Sequence, residues 1–502
     1  MEAFTQWKNA QLHLEKAVQA FFDASISLRA AVSQHFVAPS RHSTFEDLIV
    51  KIQSQTALSD SIETQLAASR AVIYSTRNMS PTFVPISILP PELFSRIFIF
   101  AIASTSPDIS CDEPDPLLAI SAVCTRWRQL AIGTRSLWSH IELLGPPTEI
   151  DWLWLERSQG SPLHLYIDFG YCNDQDFMTD LCLKLQPHLA YLSSLALRET
   201  TKEIFDQFIS LCSRCGASGS LKSLVVVSYE GDNERPAHQR WPTTYLQGLV
   251  DLQLSSLSPS MSPSFQELSA ILSGSPALVT LRLRHMTILP GQALAVALSK
   301  LQLLDLYNLD HTSLLVLLSA LSPGRAELDF RFSLHRLTNR DVTEVILPFC
   351  RRSNIVSLFL SDYDKGFDVR VSSMLQCVPF IRVLFLDNEH DDFHATNLTN
   401  TNSGKTIARC PGLHTLCLIV NNSFKKDAGH QVEKIVEVYS LHTIVLVAFD
   451  FERRHPVLWD YLTRKVQSVI VDDGMLDGEY EEWDLRFRKL IEASNSPQRE
   501  RG

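Results

Sequence analysis

No stretch of this 502-residue chain is apolar for long enough to cross a bilayer. The longest apolar runs, Ile97 to Ala103 among them, fall far short of the roughly 20 residues a spanning helix needs, so no membrane contact is expected. The first residues lack a basic start followed by an apolar core, and no secretory leader is expected. Cysteine is sparse, ten residues at irregular spacing. Without a leader those thiols are expected to be reduced, in a cytoplasmic or nuclear setting, with the sequons at Asn78, Asn397 and Asn421 silent. Positive charge is short as well: 45 Lys and Arg face 56 Asp and Glu, a net charge of −11. That argues against a nucleic-acid partner held by its phosphates. The motifs GxSxG, HExxH and GxGxxG do not occur. The chain does have ordinary globular composition, 45% hydrophobic and 20% charged, which excludes general disorder, collagen and mucin-like stalks.

Four zones follow from the patterning. Across residues 1–80, Phe4, Trp7, Gln11, Leu14, Val18, Phe21, Ser25, Leu28 and Val32 recur at steps of three and four, a helical stripe with period near 3.5. Pro39 breaks it. Ser43 and Glu46 then read as a capping box opening a second helix, with the weaker stripe Leu48, Ile52, Ile62, Leu66 and Ile73. Two helices of similar length around a proline predict an antiparallel, coiled-coil-like hairpin. Its stripe either packs onto the rest of the chain or pairs two chains through residues 4–73.

Residues 81–143 read as a small helical domain. Pro90 and Pro91 suit the first turn of a helix, whose N–H groups lack intrahelical acceptors. Leu93, Ile97 and Phe100 lie on one apolar face of it. A polar insert, Ser104 to Pro116, precedes a second helix expected from Leu117 to Ile132, and Leu137-Trp138 closes the unit. Leu-Pro-x-Glu-Leu, then Ile-Phe, Val-Cys-x-x-Trp and Leu-Trp, in that order, resemble an F-box. The long insert between Phe98 and Val123 is similar to the F-box-like family of mushroom-forming fungi, whose members carry an N-terminal helical segment and a C-terminal leucine-rich array. The resemblance implies docking to the Skp adaptor, and through it to a cullin. The contact set carried over is Leu89, Pro90, Pro91, Glu92, Leu93, Ile97, Phe98, Val123, Cys124 and Trp127. Which of these face the adaptor and which the domain's own core is not readable from sequence.

Residues 144–470 repeat the phrase L-x-x-L-x-L. It begins at Leu192, Leu221, Leu249, Leu278, Leu301, Ile355, Ile381, Leu413 and Leu441, with degenerate copies at Leu328-Phe330 and Leu163-Leu165. The spacings fall around the leucine-rich-repeat period, and helical patterns such as Phe265-Leu268-Ile271-Leu272 fill the gaps. A strand and helix of this size cannot bury a core alone, but stacked copies can. The fold class is thus mixed α+β and α/β: helical hairpin, small helical F-box, then a leucine-rich-repeat α/β solenoid. The asparagine slot of the usual repeat holds Thr200, Tyr229, Leu257, Met286, Leu309, Tyr363 and Glu389, and only Asn421 fits. Residues flanking the middle of L-x-L are expected on the concave face, because side chains alternate along a strand. Arg282, Arg284, Asp305, Tyr307, Arg331, Phe359 and Phe385 are the substrate-contact candidates among them. The alternative for Phe359 and Phe385 is cover by the chain's own C-terminal segment.

The remaining constellations are weak. Ser403-Gly404-Lys405-Thr406 lacks the upstream glycine of a phosphate loop, since that position is Thr399. Asp387, Glu389, His390, Asp391, Asp392 and His394 have ligand-type side chains, but no spacing that gathers them, and no metal is expected. Cys212 and Cys215 form a lone CxxC without a second pair. Cys350, Cys377 and Cys410 each lie shortly before a repeat strand and read as core. Residues 471–502 form an acidic, polar tail, solvated or serving as a docking strip. The reading is a non-catalytic substrate receptor of an SCF-type ubiquitin ligase with an unknown protein substrate and no cofactor. The alternative is an interaction scaffold that keeps the F-box-like fold and joins no ligase. No nucleophile, base and orienting group can be assigned to support an enzyme.

Overall fold

Two long helices open the chain, α1 over Glu2–His35 and α2 over His42–Asn78. They belong to a computed structural model that describes residues 2–35, 42–78, 85–103, 116–170, 175–216, 219–228, 240–292, 294–333, 337–362, 367–388, 398–402, 405–419, 426–447 and 450–472. Phe4, Trp7, Leu14, Val18, Phe21 and Leu28 of α1 are all exposed, as are Ile62 and Ile73 of α2. The expected hairpin seam is therefore not closed among the described residues. Ser25 and Ser69, polar positions at the same helical spacing, turn their hydroxyls back onto the carbonyls of Phe21 and Gln65 at 2.8 Å each.

The chain divides into two compact units, residues 1–130 and 131–502. In the first, α3 (Pro91–Ala103), α4 (Pro116–Val123) and α5 (Thr125–Gly133) follow the two long helices. The single helix expected from Leu117 to Ile132 is broken at Cys124. There the thiol sulfur accepts the Trp127 amide at 3.4 Å, and the Cys124 carbonyl accepts the Arg128 amide at 2.9 Å. Cys124 thus caps α5, satisfying amides that a helix start leaves without partners. Phe94, Phe98, Leu117 and Ile120 are buried between these helices. The Trp127 ring lies 5.7 Å from that of Phe94 and 5.1 Å from that of Phe98.

The second unit is built on a thirteen-stranded parallel sheet whose spatial order is its chain order. Its strands are β1 (His140–Leu143), β2 (Leu163–Asp168), β3 (Leu192–Arg198), β4 (Ser223–Val227) and β5 (Asp251–Ser255). Then come β6 (Thr280–Arg284), β7 (Leu303–Leu306), β8 (Leu328–Ser333) and β9 (Ile355–Asp362). The last four are β10 (Val383–Asn388), β11 (Thr415–Ile419), β12 (Thr443–Val447) and β13 (Ser468–Asp472). Every leucine phrase coincides with one of these strands. β1 and β13 are additional, and β1 takes the end of the segment expected to close the small helical domain. Trp138 fixes that end: its indole N–H donates to the Ala131 carbonyl at 2.7 Å, and Arg157 lies 4.4 Å over its ring.

The alternation of each phrase explains the layering. Leu281 and Leu283 of β6 share one core with Leu268, Ile271 and Leu272 of the helix Phe265–Ser273. That helix opens with a capping box in which Glu267 reaches back to the Ser264 amide at 2.9 Å. Parallel pairing continues through the strand entries, where Val279 donates to Val250, Gln302 to Val279 and Asp329 to Gln302 at 2.7–2.9 Å. At the exits, Glu199, Ser256, His285 and Asn308 adopt left-handed φ values of 49, 55, 49 and 51°. Beside them lies the slot that lacks asparagine. Thr200, Leu257 and Met286 are buried there, and the Ser228 hydroxyl donates to the Thr200 carbonyl at 2.9 Å. Backbone pairing and small hydroxyls hold these turns in place of an asparagine ladder. No helix among the described residues is long and apolar enough to cross a membrane.

Candidate functional site

Helix α3 has two apolar faces, and only one of them is satisfied from within. Phe94 and Phe98, one turn apart, are 0% and 1% exposed, whereas Leu93, Ile97 and Phe100 are 43%, 39% and 72% exposed. Spacing of four and three residues puts those three on one side of the helix. Val123, at the end of α4, adds a 58% exposed valine, and Ile88 and Leu118 are exposed too. The entry to α3 is held firmly. The Pro90 carbonyl accepts the Leu93 and Phe94 amides at 3.1 and 3.2 Å, and Arg126 donates to the Leu89 carbonyl at 3.0 Å. The same guanidinium sits 5.1 Å over the Phe94 ring. Glu92 lies in the first turn of α3, where the helix dipole favours a negative charge.

The carried-over set therefore divides. Pro90, Pro91, Glu92, Leu93, Ile97 and Val123 face outward, while Leu89, Cys124 and Trp127 are half-buried. Phe98, expected among the contact residues, is turned into the core, because its ring packs on Phe94 and Trp127. Leu118 was not anticipated. It follows Leu117, which is buried, and two adjacent leucines do not reveal which of them faces inward.

Five of the seven array candidates form one row across the sheet; Arg284 lies two residues further along β6 and Tyr307 just past the end of β7. The pairing register sets Arg282 beside Asp305, Asp305 beside Arg331, Arg331 beside Phe359, and Phe359 beside Phe385. Their accessibility differs from expectation: Arg284, Asp305, Tyr307, Arg331 and Phe385 are buried, and Arg282 and Phe359 are half-buried. Internal contacts account for this. Arg284 Nε donates to Asp305 Oδ2 at 3.0 Å, Arg331 pairs with Asp329 at 2.7 Å, and the rings of Phe359 and Phe385 stack at 4.2 Å. Phe385 joins Cys417, Val445 and Val447 in an apolar cluster separate from the main core. Burial beside Arg284 also holds the His285 imidazole below its ordinary pKa.

The weaker constellations gain little. Among the described residues no group of three or more metal-ligating side chains comes together. Glu389, His390, Asp391, Asp392 and His394 lie outside the described residues, as do Ser403 and Gly404. Lys405 and Thr406 belong to a strand, Lys405–Ala408, antiparallel to Thr399–Asn402. Cys212 and Cys215 end a helix as free thiols. Burial pushes the thiols of Cys212, Cys350 and Cys410 up to about 12, which makes them poor nucleophiles.

A comparison with curated proteins finds no match to the chain. Residues 86–143, which contain the divided faces of α3 and the Cys124 cap, match the profile of the F-box-like family, and the chain carries an F-box-like domain there.

Proposed function

We propose that the chain is the non-catalytic substrate-recognition subunit of an SCF-type, cullin-RING ubiquitin ligase. One observation carries the reading: within the F-box-like segment, Leu93, Ile97, Phe100 and Val123 present apolar surface that the domain's own core leaves open. Clustered exposed apolar side chains of this kind, three of them on one face of α3, mark a protein interface. F-box domains in general bind Skp-type adaptors. Leu93, Ile97 and Val123, bordered by Pro90, Pro91 and Glu92, are the contact surface, and the cullin is reached through the adaptor. Coincidence of the leucine phrases with successive parallel strands supports a leucine-rich array as the substrate-holding part. The chain would act by holding a target lysine at high effective concentration near a charged conjugating enzyme, with no bond chemistry of its own. The open stripe of α1 supports a seam for a second copy of the chain.

The test is complex formation with the Skp adaptor, measured by size-exclusion chromatography with light scattering. A stoichiometric complex that is lost in Leu93→Asp is the expected result. A folded chain that forms no complex would overturn the ligase reading and leave an interaction scaffold.

A further inference from the structure

The buried row across the sheet leaves open where the array meets a ligand. A cleft of about 600 Å³ opens at the entry ends of β8, β9 and β10, among Arg325, Arg351, Arg352, Asn354, Cys377 and Phe380. Its size is that of a small-ligand pocket. Among the described residues no Asp or Glu lines it, although the chain as a whole carries a net charge of −11. The nearby carboxylate of Glu327 is engaged by Arg382 at 2.7 Å.

The three arginines are not equivalent. Arg352 is structural: it donates to the Leu318 and Leu321 carbonyls, which end the preceding repeat's helix, and burial holds its pKa below the ordinary value. Arg351 is exposed in the last turn of the helix Leu347–Arg352, where a cation also suits the helix dipole. Arg325 is exposed and lies ahead of β8, at no helix end, so the dipole does not account for it. Beside these cations Phe380 exposes 76% of its surface, preceded by the exposed Pro379. Arginine and exposed aromatic side chains together are the usual anchors of a peptide interface. Guanidinium groups in particular grip carboxylate or phosphate oxygens in pairs.

We propose that this cleft is a peptide-binding site that takes an acidic segment, its carboxylate or phosphate held by Arg325 and Arg351 and a neighbouring apolar side chain packed on Phe380. The proposal deepens the receptor reading and rests on it for biological meaning, but it is tested without the adaptor. The probes are two fluorescein-labelled hexapeptides, Gly-Leu-Glu-Glu-Leu-Gly and Gly-Leu-phosphoSer-Glu-Leu-Gly, with Gly-Leu-Lys-Lys-Leu-Gly as control. Fluorescence anisotropy on the full chain should detect the two acidic peptides and not the basic one. The stronger of the two identifies phosphate or carboxylate as the preferred anion.

Arg325→Glu and Arg351→Glu should each weaken binding at least about tenfold, and Phe380→Ala at least about threefold. Lys300→Glu, an equal charge change at an exposed position outside the cleft, should leave binding unchanged. All four residues are exposed, so unchanged thermal melts accompany the variants. Alkylation of Cys377 by iodoacetamide should slow when either acidic peptide is present. No binding of the acidic peptides at about 1 mM, or equal binding by wild type and the Arg325→Glu, Arg351→Glu double variant, overturns the proposal. Leu93→Asp should keep full peptide affinity, so a failure of adaptor docking and a failure of the cleft are separate results.

Discussion

Leu93→Asp tests whether the outward face of α3 docks a partner without being needed for folding. Burying a whole leucine side chain stabilises by about 1.5–3 kcal/mol. Leu93 still exposes 43% of its surface, so a partner that covers it recovers roughly 0.6–1.3 kcal/mol by the same scale. Leu93→Ala should then weaken the adaptor complex by about threefold to ninefold. Aspartate adds a carboxylate pressed against apolar surface, at a cost of several kcal/mol. The sum is at least about 3 kcal/mol, a loss on the order of a hundredfold or more. Folding should lose less than binding: the share of Leu93 already covered in the folded domain is worth about 0.9–1.7 kcal/mol on the same scale, and the helix-propensity difference adds at most about 0.7 kcal/mol. Isothermal titration with the adaptor reads the first effect and thermal denaturation by circular dichroism the second. Ile99→Asp is the matched control: Ile99 is also 43% exposed, but at about 100° per residue it lies roughly 130° round the helix from Leu93, Ile97 and Phe100. The reasoning fails if Leu93→Asp binds within about twofold of wild type. It also fails if Ile99→Asp loses as much, or if the loss is accompanied by unfolding.

Four further outcomes follow. Phe98→Ala should destabilise the helical unit by about 3–5 kcal/mol, seen as a lowered melting transition, because a ring wedged between Phe94 and Trp127 leaves a cavity. Asp305→Ala removes the carboxylate paired with the buried Arg284 guanidinium and should cost about 3–5 kcal/mol in denaturant titrations, whereas the joint change Arg284→Met, Asp305→Leu should recover most of it. Burial raises the Asp206 carboxyl from 3.8 to about 6, so its ionisation weakens the fold progressively as pH rises through that window, and fully above it. Asp206→Asn should therefore raise the melting temperature at pH 7 and leave it unchanged at pH 3.5; a rise of equal size at both pH values would contradict this. Sedimentation equilibrium at high micromolar concentration should show a dimer that Phe21→Glu returns to monomer, and a wild-type monomer there would remove the α1 seam.

The strands were legible because their signal is repeated. Within each phrase Leu281, Leu283 and their equivalents keep the same spacing, the phrases recur at similar intervals, and each strand pairs in register with the next. β1 and β13 escaped because the ends of the sheet lack the full phrase: β1 reads His-Ile-Glu-Leu and β13 Ser-Val-Ile-Val-Asp. The break at Cys124 was hidden by the apolar pattern, which runs on through Val123 and Trp127 while a single thiol changes the backbone's hydrogen bonding. Site residues were less legible than strands. Periodicity told which residues share a face of α3, but not that Phe94 and Phe98 win the inward place over Leu93 and Ile97. Trp127, about thirty residues away, favours that choice, because both phenylalanine rings pack against it.

Burial of the expected contact row has a cause that also locates the cleft. Parallel strands lie about 4.8 Å apart, so residues at matching positions of successive repeats become neighbours whatever their chemistry. The row Arg282, Asp305, Arg331 brings opposite charges together, and they are neutralised by the nearest partners, Asp305 by Arg284 two positions along β6 and Arg331 by Asp329, while aromatics at matching positions stack, as Phe359 does with Phe385. The regularity that builds the sheet thus consumes the side chains on its face. Strand entries are supplied by connecting segments whose sequences are not in register, and there Glu327 reaches across to Arg382 while, among the described residues, no carboxylate lines the cleft beside Arg325 and Arg351. The same logic holds in the F-box-like segment, where α3 carries two apolar faces and its own domain fills only one. On both proposals, the surface left for a ligand lies where the repeating or helical pattern runs out, at the rim of the sheet and on the outer face of α3.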